Sequence, residues 1–286
     1  MPSTPPALTD GLADALRDAL ADGGPVVVIT GAGISAESGI PTFRGPEGYW
    51  TVGSEVYTPA QLATRSSFDA NPARVWAWYL YRLGVCEAAA PNDAHRALAR
   101  LDAAIGDRVR LLTQNVDGLH LRAGSPLERT WQIHGNIGFE RCVAACGGPP
   151  WPIGDDVRRV ERGEVLDDDA LAARVCPRCG GPSRPHVLWF DETYDEVHFR
   201  FESSIEVATR AAVLITIGTS GATNLPMHVG AIAARRGALL IDVNPGDNPF
   251  ARLARNAGGH WIDGASGAVV PALVDAVIDG VSRSSG

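Results

Sequence analysis

Three groups of residues in this 286-residue chain have the types and spacing to do chemistry: two close cysteine pairs, a glycine turn behind a β-branched run, and an isolated histidine among polar side chains. Cys142-x3-Cys146 and Cys176-x2-Cys179 are separated by 29 residues, a spacing at which four thiolates close a tetrahedral zinc site. A closed four-sulfur site is structural, and Gly147, Gly148, Gly180 and Gly181 supply the tight knuckle turns it needs. Cys86, the fifth cysteine, is left over and reads as a small buried hydrophobe on a helix. Gly31-Ala32-Gly33-Ile34-Ser35-Ala36 follows Val26-Val27-Val28-Ile29-Thr30, giving the G-x-G-x-x-A spacing of a dinucleotide site after a strand. Gly31 and Gly33 leave no side chain between the backbone and a diphosphate, and small Ala36 lets the next segment pack close to the strand. Gln114, Asn115 and Asp117 offer amide and carboxylate groups suited to ribose hydroxyls and a carboxamide, although Asn115 and Asp117 would equally cap a following helix. His134, at the end of Trp131-Gln132-Ile133, has the near-neutral pKa of a general base, but taken alone a histidine there serves structure as readily.

These groups have to be positioned by a scaffold, and the hydrophobic pattern indicates which. Apolar runs at Val26–Thr30, Val109–Thr113, Ala212–Ile217 and Ala238–Val243 read as strands covered on both faces. Helical periodicity separates them at Leu8–Leu20, Ala94–Ala104, Val197–Ala208, Met227–Ala234 and Val269–Val277. Alternation of this kind implies an α/β fold with a doubly wound parallel, Rossmann-like sheet. Two segments break the rhythm: Thr42–Ala90, a loop and a long aromatic helix, and the Gly-, Pro- and Cys-rich Cys142–Arg184. We therefore expect residues 1–40, 91–135 and 186–281 to form the dinucleotide-binding domain. Residues 41–90 and 136–185 would form an inserted small helical and zinc-binding domain, and 282–286 a disordered tail. The ligand site is expected in the cleft between the two parts.

Composition narrows the function. With 25 basic against 33 acidic residues, a net charge of −8 and no basic run, direct nucleic-acid binding is not expected. No stretch of 18 apolar residues is present, so no membrane span is expected, and the start Met1–Pro6 lacks the regions of a signal peptide, which points to the cytoplasm. An ordinary nicotinamide dehydrogenase would place an acidic residue at the end of a second strand about 20 residues beyond the glycines. That place holds a loop with Phe43, Arg44, Gly48, Tyr49 and Trp50 and no evident strand, which disfavours simple hydride transfer.

Taken in order, Gly31–Ser35, Thr42-Phe43-Arg44, Thr113–Asp117, Ile133-His134-Gly135, the four cysteines and Gly218-Thr219-Ser220 closely resemble the sirtuins, NAD-dependent protein lysine deacylases. The resemblance runs from about Pro25 to Asn244. It implies NAD and zinc as cofactors, and acylated lysine side chains of proteins as partners. By matching motif it implies cofactor contacts at Gly31, Ala32, Gly33, Ala36, Phe43 and Arg44, with Gln114, Asn115 and Asp117 around the nicotinamide ribose and carboxamide. Gly218, Thr219, Ser220 and Asn244 match the adenosine and phosphate side, and His134 matches the catalytic base. In the family's reaction nicotinamide leaves, the acyl oxygen attacks the ribose, and the base deprotonates a ribose hydroxyl that attacks the resulting imidate. The products are free lysine, nicotinamide and O-acyl-ADP-ribose.

The acyl pocket is legible one step further. Tyr79 and Arg82 lie three apart on a helix and share a face, where a phenol and a guanidinium can grip a carboxylate. With Leu62-Ala63-Thr64 upstream and Arg184–Phe190 downstream, the pattern resembles the sirtuin subclass that removes succinyl, malonyl or glutaryl groups. Small Ala63 would leave room for the longer chain, while Val187 and Phe190 match substrate-lining positions. Two departures stand out: three residues rather than two separate the first cysteine pair, and Asp191 replaces a glycine that lies against the substrate peptide. Asp191 is accordingly expected to favour lysines with basic neighbours. NAD hydrolysis or ADP-ribosyl transfer, and a non-catalytic NAD-sensing module, are the competing readings. For a sensing module, His134, Tyr79 and Arg82 would be dispensable.

Overall fold

Val26–Thr30 is buried along its whole length, as a β-branched run needs to be when helices cover both of its faces. The computed structural model describes residues 8, 11–41, 50–52 and 55–284. In chain order it contains α1 (Leu12–Leu20), β1 (Val26–Thr30), a 3-10 helix (Ala32–Ser38), β2 (Trp50–Val52), β3 (Glu55–Tyr57), α2 (Pro59–Leu62), α3 (Arg65–Ala70), α4 (Pro72–Ala88) and α5 (Asp93–Ile105). These are followed by β4 (Val109–Thr113), α6 (Leu119–Arg122), β5 (Thr130–Gln132), β6 (Gly135–Cys142), β7 (Trp151–Pro152), α7 (Asp168–Ala172) and β8 (Ser183–Val187). The chain closes with α8 (Glu196–Phe199), α9 (Phe201–Arg210), β9 (Val213–Ile217), α10 (Asn224–Arg235), β10 (Leu239–Val243), α11 (Pro249–Asn256), β11 (His260–Ile262) and α12 (Ser266–Ser284).

Six of these strands form one parallel sheet in the order β11-β10-β9-β1-β4-β5. This is the doubly wound arrangement, with the reversal of winding between β1 and β9. Alternate residues of each strand feed two cores. Val26, Val28, Leu111 and Ile215 pack with α1, α5 and α12, while Val27, Ile29, Leu112 and Leu214 pack with α9, α10 and α11. A second, three-stranded antiparallel sheet, β7-β6-β8, carries the cysteine-rich segment. Its apolar support comes from α4, where Trp76, Trp78, Tyr79 and Leu80 are all buried together with Ile137, Ile153, Val160 and Trp189. Cys86 belongs to this cluster, as its sequence setting suggests. Among the described residues no helix is long and apolar enough to cross a membrane.

Several boundaries differ from the sequence pattern for identifiable reasons. The segment after Gly31 is a 3-10 helix rather than an α-helix. Trp50–Val52 and Glu55–Tyr57 pair into an antiparallel hairpin, so strands do follow the glycine turn, but outside the main sheet. The expected helix Val197–Ala208 is two helices, broken at Arg200 in the left-handed region (φ 54°). α12 continues through Ser284, so the expected tail at 282–286 begins as helix.

Asn side chains cap three of the helices. Asn71 accepts from Arg74 N–H before α4, Asn92 forms a capping box with His95 before α5, and Asn248 accepts from Phe250 and Ala251 before α11. The most demanding contact lies at the winding reversal, where Gly33 N–H donates to the Gly218 carbonyl at 2.8 Å. A Cβ on Gly33 would lie 2.7 Å from Gly218 Cα, and one on Gly31 2.8 Å from Thr219 Cα, so the two loops touch only because both positions lack side chains. Gly33→Ala should therefore cost about 1–3 kcal/mol by overpacking. Urea unfolding of the variant against wild type checks this.

Candidate active site

The loops leaving the carboxyl ends of β1, β4, β9 and β10 meet at the winding reversal, the place where open α/β sheets bind ligands. Gln114 joins them: its side-chain amide donates to Thr219 Oγ1 at 2.8 Å, and its Oε1 accepts from Thr223 Oγ1 at 2.8 Å. Asn115 donates to the Gly31 carbonyl (3.1 Å) and to Ser35 Oγ (3.0 Å), and Asn244 donates to the Thr219 carbonyl (2.7 Å). Gly31, Gly33, Gln114, Asn115, Gly218, Thr219 and Asn244 are thus gathered as the sequence suggests. Ala32 and Ala36 lie on the 3-10 helix beside them, and Ser220 is exposed at the rim. Phe43 and Arg44 lie outside the described residues. The glycines are explained first by loop-to-loop contact and only second by access for a diphosphate. Among the described residues, no backbone carbonyl takes up the N–H groups of Thr219 and Ser220, leaving donors suited to phosphate.

Asp117 takes the capping role, one of its two readings. One oxygen caps α6 by accepting from Leu119 N–H (2.9 Å), and the other accepts from the Ser35 hydroxyl (2.7 Å). Burial pushes its carboxyl above the usual range. Behind it lies a buried polar layer that the sequence did not reveal. Ser35 Oγ contacts His95 Nε2 at 3.5 Å, Thr30 Oγ1 contacts His120 Nε2 at 2.9 Å, and the two imidazoles lie 4.8 Å apart.

His134 lies between β5 of the six-stranded sheet and β6 of the three-stranded sheet. Its Nδ1 bonds to the Gln114 carbonyl at 3.0 Å, and its own carbonyl accepts from Leu188 N–H at 2.9 Å. Gly135 follows at φ 86°, where a Cβ would fall 2.1 Å from the His186 carbonyl, so only glycine lets β6 approach β8 here. Burial draws the His134 pKa down to about 4. Its Nε2 lies 2.8 Å from the hydroxyl of Tyr194, a residue that sequence reasoning missed.

Beyond His134 the chain joins the residues expected to line an acyl pocket. Phe190 N–H donates to the Ala63 carbonyl (2.9 Å), and Trp189 Nε1 donates to the Tyr79 hydroxyl (2.9 Å). Ala63, Tyr79, Val187 and Trp189 are buried in one cluster, whereas Phe190 is exposed. Burial raises the Tyr79 pKa, keeping the phenol protonated with its hydrogen available to donate. The Arg82 guanidinium lies 5.3 Å from the Trp78 ring and close enough to Tyr79 for its charge to act on the phenol. Asp191 does not stand free toward a peptide. Its carboxylate accepts from the backbone N–H groups of Arg65 (2.6 Å) and Ser66 (3.1 Å).

The four cysteine sulfurs lie within 4.8 Å of one another, with Cys142–Cys179 and Cys146–Cys176 at 3.6 Å. Zn–S bonds of about 2.3 Å in a tetrahedron require S–S separations of roughly 3.8 Å, so the set fits zinc. The backbone N–H of Cys146 pulls the Cys142 thiol down to about 7. The extra residue of the first pair is absorbed by Ala145 in the left-handed region (φ 49°).

Fold and site together define a Rossmann-like enzyme carrying an inserted four-cysteine module. The chain belongs to the Sir2 family, whose model matches residues 31–224. It is 37% identical over 257 residues to an NAD-dependent protein deacylase of Leptospira interrogans, covering 90% of this chain and 94% of the relative. It is 42% identical over 228 residues to one from Aeropyrum pernix, covering 80% and 84%. A mutant Sir2 homologue in complex with 2′-O-acetyl ADP-ribose superposes with a TM-score of 0.76 at 33% identity, covering 96% of this chain and 98% of that one.

Two measurements follow from this geometry. Neither sheet core includes a residue of the cysteine module. Metal analysis should return about one zinc per chain, and chelation should expose amides across 142–183 to exchange while the six-stranded sheet stays protected. Burial also holds His95 and His134 at about 4 and His186 at about 3, with His120 well below its ordinary value. The unfolded chain takes up protons on these rings below about pH 6.5 that the folded chain refuses, so stability should fall as pH drops from about 6.5 toward 4. Lower urea midpoints at about pH 5 than at pH 7.5 are expected; equal midpoints would contradict neutral burial.

Proposed function

We propose that this protein is an NAD-dependent protein lysine deacylase that favours acyl groups ending in a carboxylate. The observation that carries the proposal is the double attachment of His134. Its ring is held by Gln114 on the nucleotide side, and its carbonyl by Leu188 on the side of Ala63, Val187 and Phe190. An imidazole so placed serves both ligands. NAD, when bound, supplies an activated ribose that accepts the acyl group.

The chain's own residues do the rest. Segments 1–40, 91–135 and 186–281 form the NAD-binding part, and 41–90 with 136–185 the small part that covers it. Gly31, Ala32, Gly33 and Ala36 contact the cofactor, and enclosure of its ribose there excludes water that would otherwise capture the reactive sugar. Gln114, Asn115 and Asp117 hold the nicotinamide end, and Gly218, Thr219, Ser220 and Asn244 the phosphates and adenosine. His134, neutral at physiological pH because of its burial, accepts the proton. Cys142, Cys146, Cys176 and Cys179 hold zinc as a structural ion, away from the chemistry.

The acyl preference rests on Tyr79 and Arg82. A protonated phenol and a guanidinium together can donate charge-assisted hydrogen bonds to a terminal carboxylate, which an acetyl group lacks. Incubation with NAD and matched acetyl- and succinyl-lysine peptides, followed by mass spectrometry, tests the proposal. Nicotinamide and O-acyl-ADP-ribose should appear only with acyl peptide; nicotinamide without peptide would indicate a hydrolase, and none at all a sensor. Arg82→Met should reduce desuccinylation about 10- to 100-fold while leaving deacetylation within about threefold, and parallel losses would remove the carboxylate grip.

A further inference from the structure

One neighbour of the His134 ring, the Tyr194 hydroxyl, has no part in the reaction so far. The Gln114 carbonyl facing Nδ1 at 3.0 Å can only accept, so Nδ1 carries the hydrogen and the neutral ring keeps its single lone pair on Nε2. The Tyr194 hydroxyl, 2.8 Å from Nε2, must then donate to that lone pair. A base whose lone pair is filled cannot take a proton directly from a substrate. Either the phenol departs, or the proton passes through it.

The surroundings of Tyr194 argue against departure. Its ring stacks on Phe201, with centroids 6.3 Å apart and planes 27° apart, and packs against the apolar cluster that includes Ile29, Leu112 and Val207. The chain is held on both sides of it. Glu192 pairs with Arg184, and Asp195 caps α8 by accepting from His198 N–H at 2.6 Å. The phenol is therefore fixed at the imidazole while the residue remains half-buried.

We propose that Tyr194 is a proton relay between the reacting ribose hydroxyl and His134, an inference that rests on the deacylase reading. The substrate O–H bond breaks, its proton bonds to the Tyr194 oxygen, and its electron pair forms the new bond to the acyl carbon. The phenolic proton passes at the same time to Nε2. Tyr194 ends neutral as it began, and His134 ends as imidazolium. Burial lifts the Tyr194 pKa above the ordinary phenol value, which disfavours a free phenolate and so favours transfer of both protons together.

Tyr194→Phe keeps the packed ring and removes only the relay oxygen. Two measurements test it. In ligand-free protein, the 15N resonance of His134 Nε2 should show an accepted hydrogen bond in wild type and move toward the bare-nitrogen value in the variant, with the Nδ1–H tautomer unchanged. With NAD, acyl peptide and labelled nicotinamide, the variant should exchange nicotinamide within about threefold of wild type yet release free lysine peptide about 100-fold more slowly. Deacylation at or above the wild-type rate would overturn the relay and make the phenol a plug. Exchange and deacylation falling together, or an unmoved Nε2 resonance, would overturn it as well. His134→Ala separates the two levels: if it deacylates like wild type, the base assignment itself fails, whereas if it does not while Tyr194→Phe does, only the relay fails.

Discussion

The close approach of two backbone loops where the sheet reverses its winding sets the geometry of the whole site. Gly33 N–H reaches the Gly218 carbonyl at 2.8 Å with no space for a Cβ between them. Thr219, the next residue, is thereby placed to accept the Gln114 amide, and the Gln114 carbonyl in turn accepts the His134 ring. A chain of ordinary hydrogen bonds thus carries the position of a backbone crossover to the orientation of an imidazole. No member of that chain needs to be strong. Each has to be where the previous one leaves it, which a close-packed interior ensures.

The smaller part of the molecule is held together in a different way from what its composition suggests. Its cysteine-rich segment is poor in apolar residues, yet α4 supplies a core through Trp76, Trp78, Tyr79 and Leu80. Trp76 Nε1 also donates to the Ser183 carbonyl at 3.3 Å, and Arg159 pairs with Glu87 at 2.7 Å, so the helix is tied to β8 and to the module's loop. The four sulfurs then organise the outer knuckles, where no side-chain core is available. Ala145 adopts a backbone conformation costly for a residue with a Cβ, which is how a three-residue spacing closes the same tetrahedron.

How far the sequence revealed this structure depended on how local each signal was. Val26–Thr30 and Val109–Thr113 match their expected bounds because strands covered on both faces are written as continuous apolar runs. β5 and β11, three residues each, are too short and too mixed in polarity to show a period. The break at Arg200 has no glycine or proline to announce it. The cysteine set was legible because its spacing and its chemistry coincide. Tyr194 was not, since it lies 60 residues from His134 and its own neighbourhood, Glu192-Thr193-Tyr194-Asp195, has no motif. The buried pair His95 and His120 was hidden for the same reason: their contact depends on how α5 and α6 pack, which no periodicity specifies.

Asp191 has a wider effect than local capping. Asp191 extends from the segment after β8 and grips the first two N–H groups of α3, while the neighbouring Phe190 N–H holds Ala63. Three bonds therefore stitch one lip of the cleft to the other, one edge belonging to the polypeptide after His134 and the other to the segment before α4. Any breathing motion that parts these lips must break the stitches in concert. The seam begins only two residues beyond the Leu188 N–H that holds the His134 carbonyl, so a displacement of α3 is passed along a short run of backbone to the imidazole.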